Sequence, residues 1–165
     1  MDQAAEAPGW GRSKGFVDVG VTAAELSPTR VSDRLLVLDV INRYAWGYDE
    51  RDLASLERTF TADAVCDGSV AGSVEVEPYE GRDEIVAWLK GYMDNQADQR
   101  RHVITNPVFV SQTDTTAVVN TYLVLTSVSG SEARLVTSGF YRFELQKVAG
   151  AWMISHLFGG FDSPF

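Results

Sequence analysis

The sequence has few of the residues that build disulfides, metal sites and nucleic-acid interfaces. A single cysteine, Cys66, cannot form an intrachain disulfide, and with only His102 and His156 beside it we expect no Cys/His zinc site. The 14 Lys and Arg are outnumbered by 23 Asp and Glu, and the formal net charge of −9 disfavours a phosphate backbone as partner. We therefore expect no metal and no nucleic acid.

Long hydrophobic runs and secretion signals are also missing. No stretch of about 18 apolar residues is present to span a bilayer. The first residues lack a basic start followed by an apolar core, so they do not resemble a secretory signal. With 45% hydrophobic residues in 165, the composition is typical of one folded domain. We expect a cytoplasmic protein that does not associate with membranes.

The N-terminal stretch shows no sustained periodicity. Residues 1–30 are rich in Ala, Gly and small polar residues, which predicts a flexible arm. In the alternative interpretation, Trp10, Phe16 and Val17 pack onto a partner subunit or cover a cavity. We expect the folded domain over residues 31–160 and a short tail over 161–165.

Three helices are predicted before residue 97. The first follows an N-cap at Ser32 and ends near Asp49. A second, short helix begins at Asp52, and a third follows in the segment GRDEIVAWLKGYMDNQ. Apolar residues at three- and four-residue steps mark one face of each helix. These faces are Leu35, Leu38, Ile41 and Ala45 in the first, Leu53, Leu56 and Phe60 in the second, and Ile85, Trp88, Leu89 and Tyr92 in the third.

The remaining segments are rich in β-formers. A hairpin is predicted over TADAVCDGSV and AGSVEVE, with Gly72 near the bend. From residue 101 four long β-rich runs are separated by short turns, which indicates an antiparallel meander and hence an α+β fold.

Both faces of the predicted meander carry apolar residues. In one strand Val118, Tyr122 and Val124 alternate with Val119, Leu123 and Leu125. The helices can cover one face only. The other face predicts a homodimer.

The candidates for chemistry are few because the common motifs are missing. The chain contains no phosphate-binding loop, no nucleophile elbow and no HExxH. His102 and His156 each alternate with apolar neighbours, so both can face the inner side of the sheet, or both can be core or interface residues. Asp49, at the end of the first helix, either is a solvated charge or points into a cavity and pairs with a base.

The order and spacing of several segments resemble a known family. INRYAWGYDERDLASLERTFTADAVCDG, YEGRDEIVAWL, RHVITNPVFV, TTAVVNTYLV and GFYRFELQKVAGAWMISH together resemble the SnoaL-like branch of the nuclear transport factor 2-like superfamily, over roughly residues 31–158. The resemblance implies a cone-shaped α+β barrel, in which a curved antiparallel sheet wraps around helices and leaves a deep pocket. Members include polyketide cyclases, scytalone dehydratase, steroid isomerases, a bile-acid dehydratase and a dehydrochlorinase. It also implies no cofactor and a homo-oligomer.

The resemblance assigns roles to three residues. In the dehydratase and dehydrochlorinase relatives, an Asp that ends the first long helix pairs with a His that opens a strand, and these correspond to Asp49 and His102. A tyrosine about one turn before the Asp corresponds to Tyr44. A further carboxylate on a central strand of some relatives has no counterpart here, since that strand offers Asn120, Thr121 and Tyr122 instead.

The expected activity is acid–base catalysis without a covalent nucleophile. A carboxylate that orients an imidazole increases its basicity, and a tyrosine (Tyr44 or Tyr48) then protonates the oxygen. This arrangement suits elimination, double-bond isomerisation, aldol-type ring closure, or epoxide opening by an internal hydroxyl that closes a cyclic ether. Addition of water to an epoxide ranks lower. A non-catalytic small-molecule-binding or protein-interaction module of the same fold is the alternative.

An apolar, natural-product-like substrate is expected from the aromatic residues near the predicted site. The predicted substrate-binding residues are Trp46, Tyr48, Trp88, Tyr92, Asn120, Ser138, Phe140, Arg142 and His156.

Overall fold

The structure, a computed structural model, describes residues 9–18 and 27–165. Within these residues, four helices and six strands follow in the order helices, hairpin, helix, meander. The helices are α1 (Trp10–Ser13), α2 (Pro28–Asp49), α3 (Leu53–Thr59) and α4 (Arg82–Asp94). The strands are β1 (Phe60–Val70), β2 (Val74–Glu80), β3 (Gln99–Gln112), β4 (Thr116–Ser129), β5 (Glu132–Val148) and β6 (Ala151–Phe161).

All six strands form one sheet in the order β2-β1-β6-β5-β4-β3. Strands β3 to β6 form the predicted antiparallel meander, and β1 with β2 forms the predicted hairpin, with Gly72 in its turn. A parallel pairing of β1 with β6, which the sequence did not predict, joins the two parts. The α+β fold is confirmed: the curved sheet is left unclosed, with β2 and β3 at its edges, and wraps around the helices.

Helix α2 begins earlier than predicted. Ser27 is the N-cap, because its side chain accepts a hydrogen bond from the backbone N–H of Arg30 at 3.2 Å and Pro28 occupies the first turn. Ser32, the predicted N-cap, lies inside the helix and donates its hydroxyl to the Pro28 carbonyl at 3.1 Å. The prediction at Ser32 is therefore wrong, since the Ser-Pro pair starts the helix one turn before it.

The buried face of α2 also differs from the predicted one. Ile41 and Ala45 are buried as expected, but Leu35 is 66% exposed. Apolar residues surround this helix on several sides, so its sequence does not single out one face. The face of α2 that is buried against the sheet consists of Val37, Ile41, Tyr44 and Tyr48.

A buried polar contact attaches α2 to the sheet. Asp33 accepts hydrogen bonds from Lys147 Nζ at 2.7 and 2.9 Å and from Trp152 Nε1 at 3.1 Å. Hydrogen bonds from Lys147 and Trp152, against the opposing effect of burial, hold the pKa of Asp33 below its ordinary value. Asp33 thus fixes the first turns of α2 against the end of the meander.

Helices α3 and α4 start where predicted, but Phe60, predicted on the face of the second helix, begins β1, and Tyr92, predicted on the face of the third, is 47% exposed. The Asp52 carboxylate caps α3 by accepting the Ser55 N–H at 3.0 Å, and Leu56 and Phe60 are fully buried. In α4, Ile85 and Leu89 are buried in the core. No helix in the described part of the chain is long and apolar enough to cross a membrane.

Residues 9–18 pack on the outer face of the sheet, the face turned away from α2. Trp10 donates its indole N–H to Asp162 at 2.7 Å and lies 5.2 Å from the Phe140 ring. The Phe16 ring lies 4.7 Å from that of Phe158. The expected flexible arm therefore does not include residues 9–18, and Trp10 and Phe16 pack on their own subunit. Residues 1–8 and 19–26 lie outside the described residues, and the division into arm, domain and tail stays a prediction.

Candidate active site

A cavity lies between α2, α4 and the concave face of the sheet. About 730 Å³ of space free of protein atoms lies in this cavity and in the open solvent at its mouth. Its wall consists mainly of aromatic and aliphatic side chains, with a few polar groups at one side. The lining residues are Tyr44, Tyr48, Cys66, Asp67, Val76, Trp88, Leu89, Tyr92, Gln96, Arg100, His102, Leu125, Tyr141, Leu157, Gly159, Phe161 and Phe165. Within residues 9–18 and 27–165, no group of three or more His, Cys, Asp or Glu side chains is placed to hold a metal ion.

Asp49 and His102 form a buried pair in which His102 lines the cavity and Asp49, which is not a lining residue, contacts the histidine from behind. Asp49 Oδ1 lies 2.6 Å from His102 Nδ1, and Asp49 Oδ2 accepts the backbone N–H of His102 at 2.8 Å. The two side chains are only 8% and 6% exposed. One carboxylate therefore holds both the ring and the backbone of the histidine, which fixes its orientation.

The pairing defines which ring nitrogen is free. A carboxylate accepts hydrogen bonds, so the neutral form of His102 carries its proton on Nδ1 and keeps a lone pair on Nε2. Among the described residues, none is a hydrogen-bond partner of Nε2. Because His102 lines the cavity, this arrangement is that of a general base oriented by an acid.

Two tyrosines flank the histidine. The ring of Tyr48 lies 4.6 Å from the His102 ring, and the ring of Tyr44 lies 6.4 Å from it. Burial is the main cause that raises the pKa of both Tyr44 and Tyr48, and the Tyr44 hydroxyl also interacts with that of Tyr141. Both phenols therefore stay protonated at neutral pH and can donate a proton or a hydrogen bond.

A second polar group lies beside Tyr48. Gln96 Nε2 donates to the Tyr48 hydroxyl oxygen at 3.0 Å, which leaves the hydroxyl proton of Tyr48 free to donate. Arg100 lines the same part of the wall, and its Nε donates to Asp98 at 2.7 Å. Neither Gln96 nor Arg100 was predicted from the sequence. The position of Arg100 could have been predicted from its spacing to His102. Residues two apart in a strand share a face, and Arg100 precedes His102 by two.

Several predicted site residues do meet at the cavity. Tyr44, Tyr48 and His102 line it, as do Trp88 and Tyr92 from α4. Trp46 does not: it is 68% exposed on the opposite side of α2 from Tyr44 and Tyr48. The expectation that Trp46 lines the pocket is corrected, because the stripe of α2 that faces the sheet excludes it.

Five other predicted lining residues lie on the outer face of the sheet, away from the cavity. Tyr141 faces the cavity, so its neighbours Phe140 and Arg142 point to the other side. The residues that lie opposite Phe140 and Arg142 in the neighbouring strands point to the same outer face. The residues whose predicted position in the pocket is corrected are Asn120, Ser138, Phe140, Arg142 and His156. Trp10 and Gly11 pack against Phe140, and Ser138 donates to Asp162.

His156 reaches the outer face through a β-bulge. In the pairing of β5 with β6, Leu145 lies opposite Ile154 but Glu144 lies opposite His156, so Ser155 is an extra residue. The bulge reverses the alternation that places Ile154 in the core. His156 Nε2 lies 2.8 Å from Asp67 Oδ1, and this hydrogen bond raises the pKa of His156.

The aliphatic and aromatic part of the wall was also largely missed. Tyr141, Leu157 and Phe161 line the cavity from β5 and β6, and the Cys66 thiol lies there too, with its pKa raised by burial. In β5 the inner face could have been predicted from Arg142 and Glu144. Two charged residues two positions apart indicate the face of the strand that is exposed to solvent, so Tyr141 lies on the inner face.

Comparison with known proteins agrees with the architecture. The family model described as "SnoaL-like domain" matches residues 29–157. No curated protein matches the chain. Similar solved structures include Aln2 from a Streptomyces species, with a TM-score of 0.69 and 20% identity over 85% of this chain and 94% of that one. ActVI-ORFA from Streptomyces coelicolor has a TM-score of 0.68 and 21% identity over 79% and 98%. A Nostoc punctiforme protein of unknown function with a cystatin-like fold has a TM-score of 0.67 and 21% identity over 84% and 96%.

Proposed function

The chain belongs to the SnoaL-like domain family, and from this membership we propose that it is an acid–base enzyme acting on a small, largely apolar molecule without a cofactor. The observation that carries the proposal is the buried Asp49–His102 pair, whose histidine lines an aromatic cavity. A cavity that only binds a ligand has no need of a carboxylate that fixes one histidine tautomer. The pair is therefore assigned to proton transfer.

In this proposal His102 is the general base. Its Nε2 accepts a proton from a carbon or hydroxyl of the substrate, and the positive charge that forms on the ring is stabilised by the Asp49 carboxylate at 2.6 Å. General acid–base catalysis of this kind contributes about 10²–10⁴-fold, and the cavity adds to it by holding the substrate in a reactive orientation.

Tyr44 is proposed as the acid, with Tyr48 as its alternative. Both tyrosines line the cavity with their rings near that of His102, and both remain protonated because burial raises their pKa. The tyrosine that faces the leaving or developing oxygen gives it a proton. Elimination of water, double-bond isomerisation and ring closure, including epoxide opening by an internal hydroxyl, all use this pair of transfers. We propose a cyclase, lyase or isomerase of natural-product-like substrates.

A non-catalytic binding module is the second candidate. It is favoured by the composition of the wall, where aromatic and aliphatic side chains far outnumber polar ones, as in many binding pockets. The two candidates differ in one measurable respect. Only the enzyme accelerates the loss of a proton from a bound molecule.

The experiment that separates them uses 2-tetralone, a bicyclic ketone with acidic C–H bonds. Exchange of its hydrogens for deuterium is followed by NMR in D₂O with the wild-type protein, with His102→Gln and with His156→Gln. His156 is the matched control, since it also pairs with an aspartate, Asp67, but does not itself line the cavity. We expect exchange by the wild type and the control, and a loss of about 10²–10⁴-fold in His102→Gln.

Binding of 2-tetralone is measured in parallel by titration calorimetry. A wild-type protein that binds the ketone without accelerating exchange would be a binding module, and the enzyme proposal would be wrong. Equal exchange by wild type and His102→Gln would also contradict it, because the base would then lie elsewhere. A protein that does not bind the ketone would contradict the apolar substrate class.

We also propose a homodimer formed through the outer face of β3, β4 and β5. Large apolar side chains are exposed there next to one another, and contiguous apolar patches of this kind mark interfaces. They are Val103 (45%), Tyr122 (63%), Val124 (37%), Val128 (39%) and Leu135 (63%). Light scattering after gel filtration is expected to give twice the 18.1 kDa chain mass, and half that value for Tyr122→Asp. A wild-type monomer would contradict the proposal. The cytoplasmic location stays a prediction.

A further inference from the structure

Arg100 stands beside the proposed base on the same strand. Arg100 and His102 are two residues apart in β3, so their side chains leave the same face, and both line the cavity. No other arginine and no lysine lines the cavity in the described residues. The side chain of Arg100 is 14% exposed and pairs with Asp98, which is 13% exposed, so the charge is held in a poorly solvated position.

The guanidinium is held from one side only. Its Nε donates to Asp98 Oδ2 at 2.7 Å, and the same carboxylate oxygen also accepts the Ser127 hydroxyl from the neighbouring strand. Within residues 9–18 and 27–165, neither terminal nitrogen of Arg100 has a hydrogen-bond partner. Asp98 and Ser127 thus act as positioning residues that keep the guanidinium at the cavity wall with its outer N–H groups available.

We propose that Arg100, together with the free hydroxyl proton of Tyr48, forms the oxygen-binding subsite of the cavity, and that the substrates are neutral carbonyl compounds with an acidic C–H bond beside the carbonyl. This inference rests on the proposed function, because it names the substrate class of the same site. The carbonyl oxygen lies at the Arg100 side, and the apolar body extends toward Trp88 and Phe161.

The step that this subsite supports is enolisation. The C–H bond next to the carbonyl breaks, the proton goes to His102 Nε2, and the electron pair moves to the carbonyl oxygen. The oxygen then carries negative charge, which hydrogen bonds from Arg100 and Tyr48 stabilise more strongly than they stabilise the neutral carbonyl. Return of the proton to another carbon gives isomerisation. Departure of a β-hydroxyl, protonated by Tyr44, gives an unsaturated carbonyl compound and water.

The charges near the subsite favour a neutral substrate over a carboxylate. Arg100 is already paired with Asp98, Asp49 lies 2.6 Å from His102, and Asp67 also lines the cavity. Three carboxyl groups thus surround one guanidinium. A carboxylate that enters would add negative charge to this poorly solvated site, whereas an enolate forms only together with a positive charge on His102.

Binding of three naphthalene derivatives tests the subsite. 2-Naphthol places an oxygen where an enolate oxygen would lie, naphthalene has the same rings without oxygen, and 2-naphthoate carries a carboxylate. With the wild type we expect 2-naphthol to bind about 10–100-fold more tightly than naphthalene, as hydrogen bonds from a charged donor predict, and 2-naphthoate more weakly than 2-naphthol. Fluorescence titration gives all three dissociation constants.

The variant Arg100→Met removes the donor and keeps the length of the side chain. We expect its preference for 2-naphthol over naphthalene to vanish while naphthalene binds as in the wild type. Arg101→Met is the matched control: Arg101 is the next residue of β3, its exposed side chain pairs with Glu50, and it does not line the cavity. If Arg100→Met is poorly folded by circular dichroism, Arg100→Gln provides the same comparison.

Each outcome decides the proposal. An equal loss of 2-naphthol and naphthalene binding in Arg100→Met would mean that Arg100 only supports the wall, and no loss would mean that it does not contact the oxygen. Tighter binding of 2-naphthoate would overturn the neutral substrate class. The variant His102→Gln keeps the preference for 2-naphthol in this proposal. A protein with that preference but without exchange of 2-tetralone therefore fails as an enzyme while its oxygen subsite stands.

Discussion

The carboxylate of Asp49 bonds to His102 at two points, the ring nitrogen Nδ1 at 2.6 Å and the backbone N–H at 2.8 Å. The first contact sets the tautomer of the imidazole. The second attaches strand β3 to the last residue of helix α2, so the same side chain orients the base and holds the strand that carries it. Substitutions of Asp49 are expected to separate these two roles.

We predict that Asp49→Asn slows exchange of 2-tetralone by about 10²–10⁴-fold while the protein stays folded. The Asn oxygen still accepts the backbone N–H, but the amide NH₂ donates to Nδ1 and moves the imidazole proton to Nε2. Deuterium exchange by NMR measures the effect. Glu50→Gln is the control, since Glu50 is the next residue and pairs with Arg101 on the surface. Wild-type exchange by Asp49→Asn would show that the tautomer is irrelevant.

Tyr48→Phe is predicted to slow the same exchange by about tenfold, the effect of losing one hydrogen bond to a developing charge. Its ring remains against His102, and only the hydroxyl that accepts from Gln96 is lost. Tyr122→Phe, on the exposed outer face, makes the same change away from the cavity and should leave the rate unchanged. If both variants exchange at the wild-type rate, the Tyr48 hydroxyl does not contact the reacting oxygen.

Asp33→Asn is predicted to lower the free energy of unfolding by about 1–3 kcal/mol at pH 7, because Lys147 and Trp152 lose a charged acceptor. Urea unfolding followed by circular dichroism measures it. Asp39→Asn is the control, since Asp39 lies on the exposed side of α2 in an ion pair with Arg43. Equal stability of the two variants would mean that the buried contact contributes nothing.

The stability difference between wild type and Asp33→Asn should depend on pH in one direction. The pKa of Asp33 is lower in the folded protein than in the unfolded chain, so the folded state favours the charged form. Its contribution is complete above the unfolded pKa of about 4 and is lost as the pH falls through the folded pKa. Unfolding measured at pH 7 and near pH 2.5 should show the difference shrinking. A difference that grows on acidification would contradict this sign.

Gly68→Ala is predicted to destabilise the protein by about 1–3 kcal/mol. A Cβ at Gly68 would lie 2.4 Å from the backbone oxygen of Gly159, so the parallel pairing of β1 with β6 would have to shift. Gly91→Ala is the matched control: nothing lies within 4 Å of its Cβ, and alanine in a helix interior should stabilise by about 0.5–1 kcal/mol. The midpoint temperature of thermal unfolding should fall for Gly68→Ala and rise for Gly91→Ala.

Periodicity and turn residues predicted the elements well. Alternation in the β-rich runs and the short turns between them led to the meander, and Asp52 correctly marked the start of α3. The start of α2 was missed because Ser32 and Ser27 both suit an N-cap, and the Pro28 that decides between them lies in a segment without apolar periodicity.

The cavity was harder to predict than the pair inside it. Asp49 and His102 were identified through the family resemblance, and their geometry agrees with that prediction. Phe140 and Tyr141 are both aromatic, so alternation alone does not say which one faces the helices. For His156 the bulge at Ser155 reverses the alternation, and a bulge of one residue leaves little trace in a sequence.

The position of Asp49 as the last residue of α2 has an electrostatic consequence. The aligned peptide dipoles of a helix place partial negative charge at its carboxyl end, and the 22-residue helix α2 ends next to His102. This charge opposes the Asp49 carboxylate but attracts a protonated imidazole, an effect of about 0.3–1 kcal/mol for exposed groups and up to about 2 kcal/mol in partly buried geometries. In the proposed reaction, transfer of a proton to His102 would relieve this repulsion, and helix α2 as a whole would favour the charged imidazole.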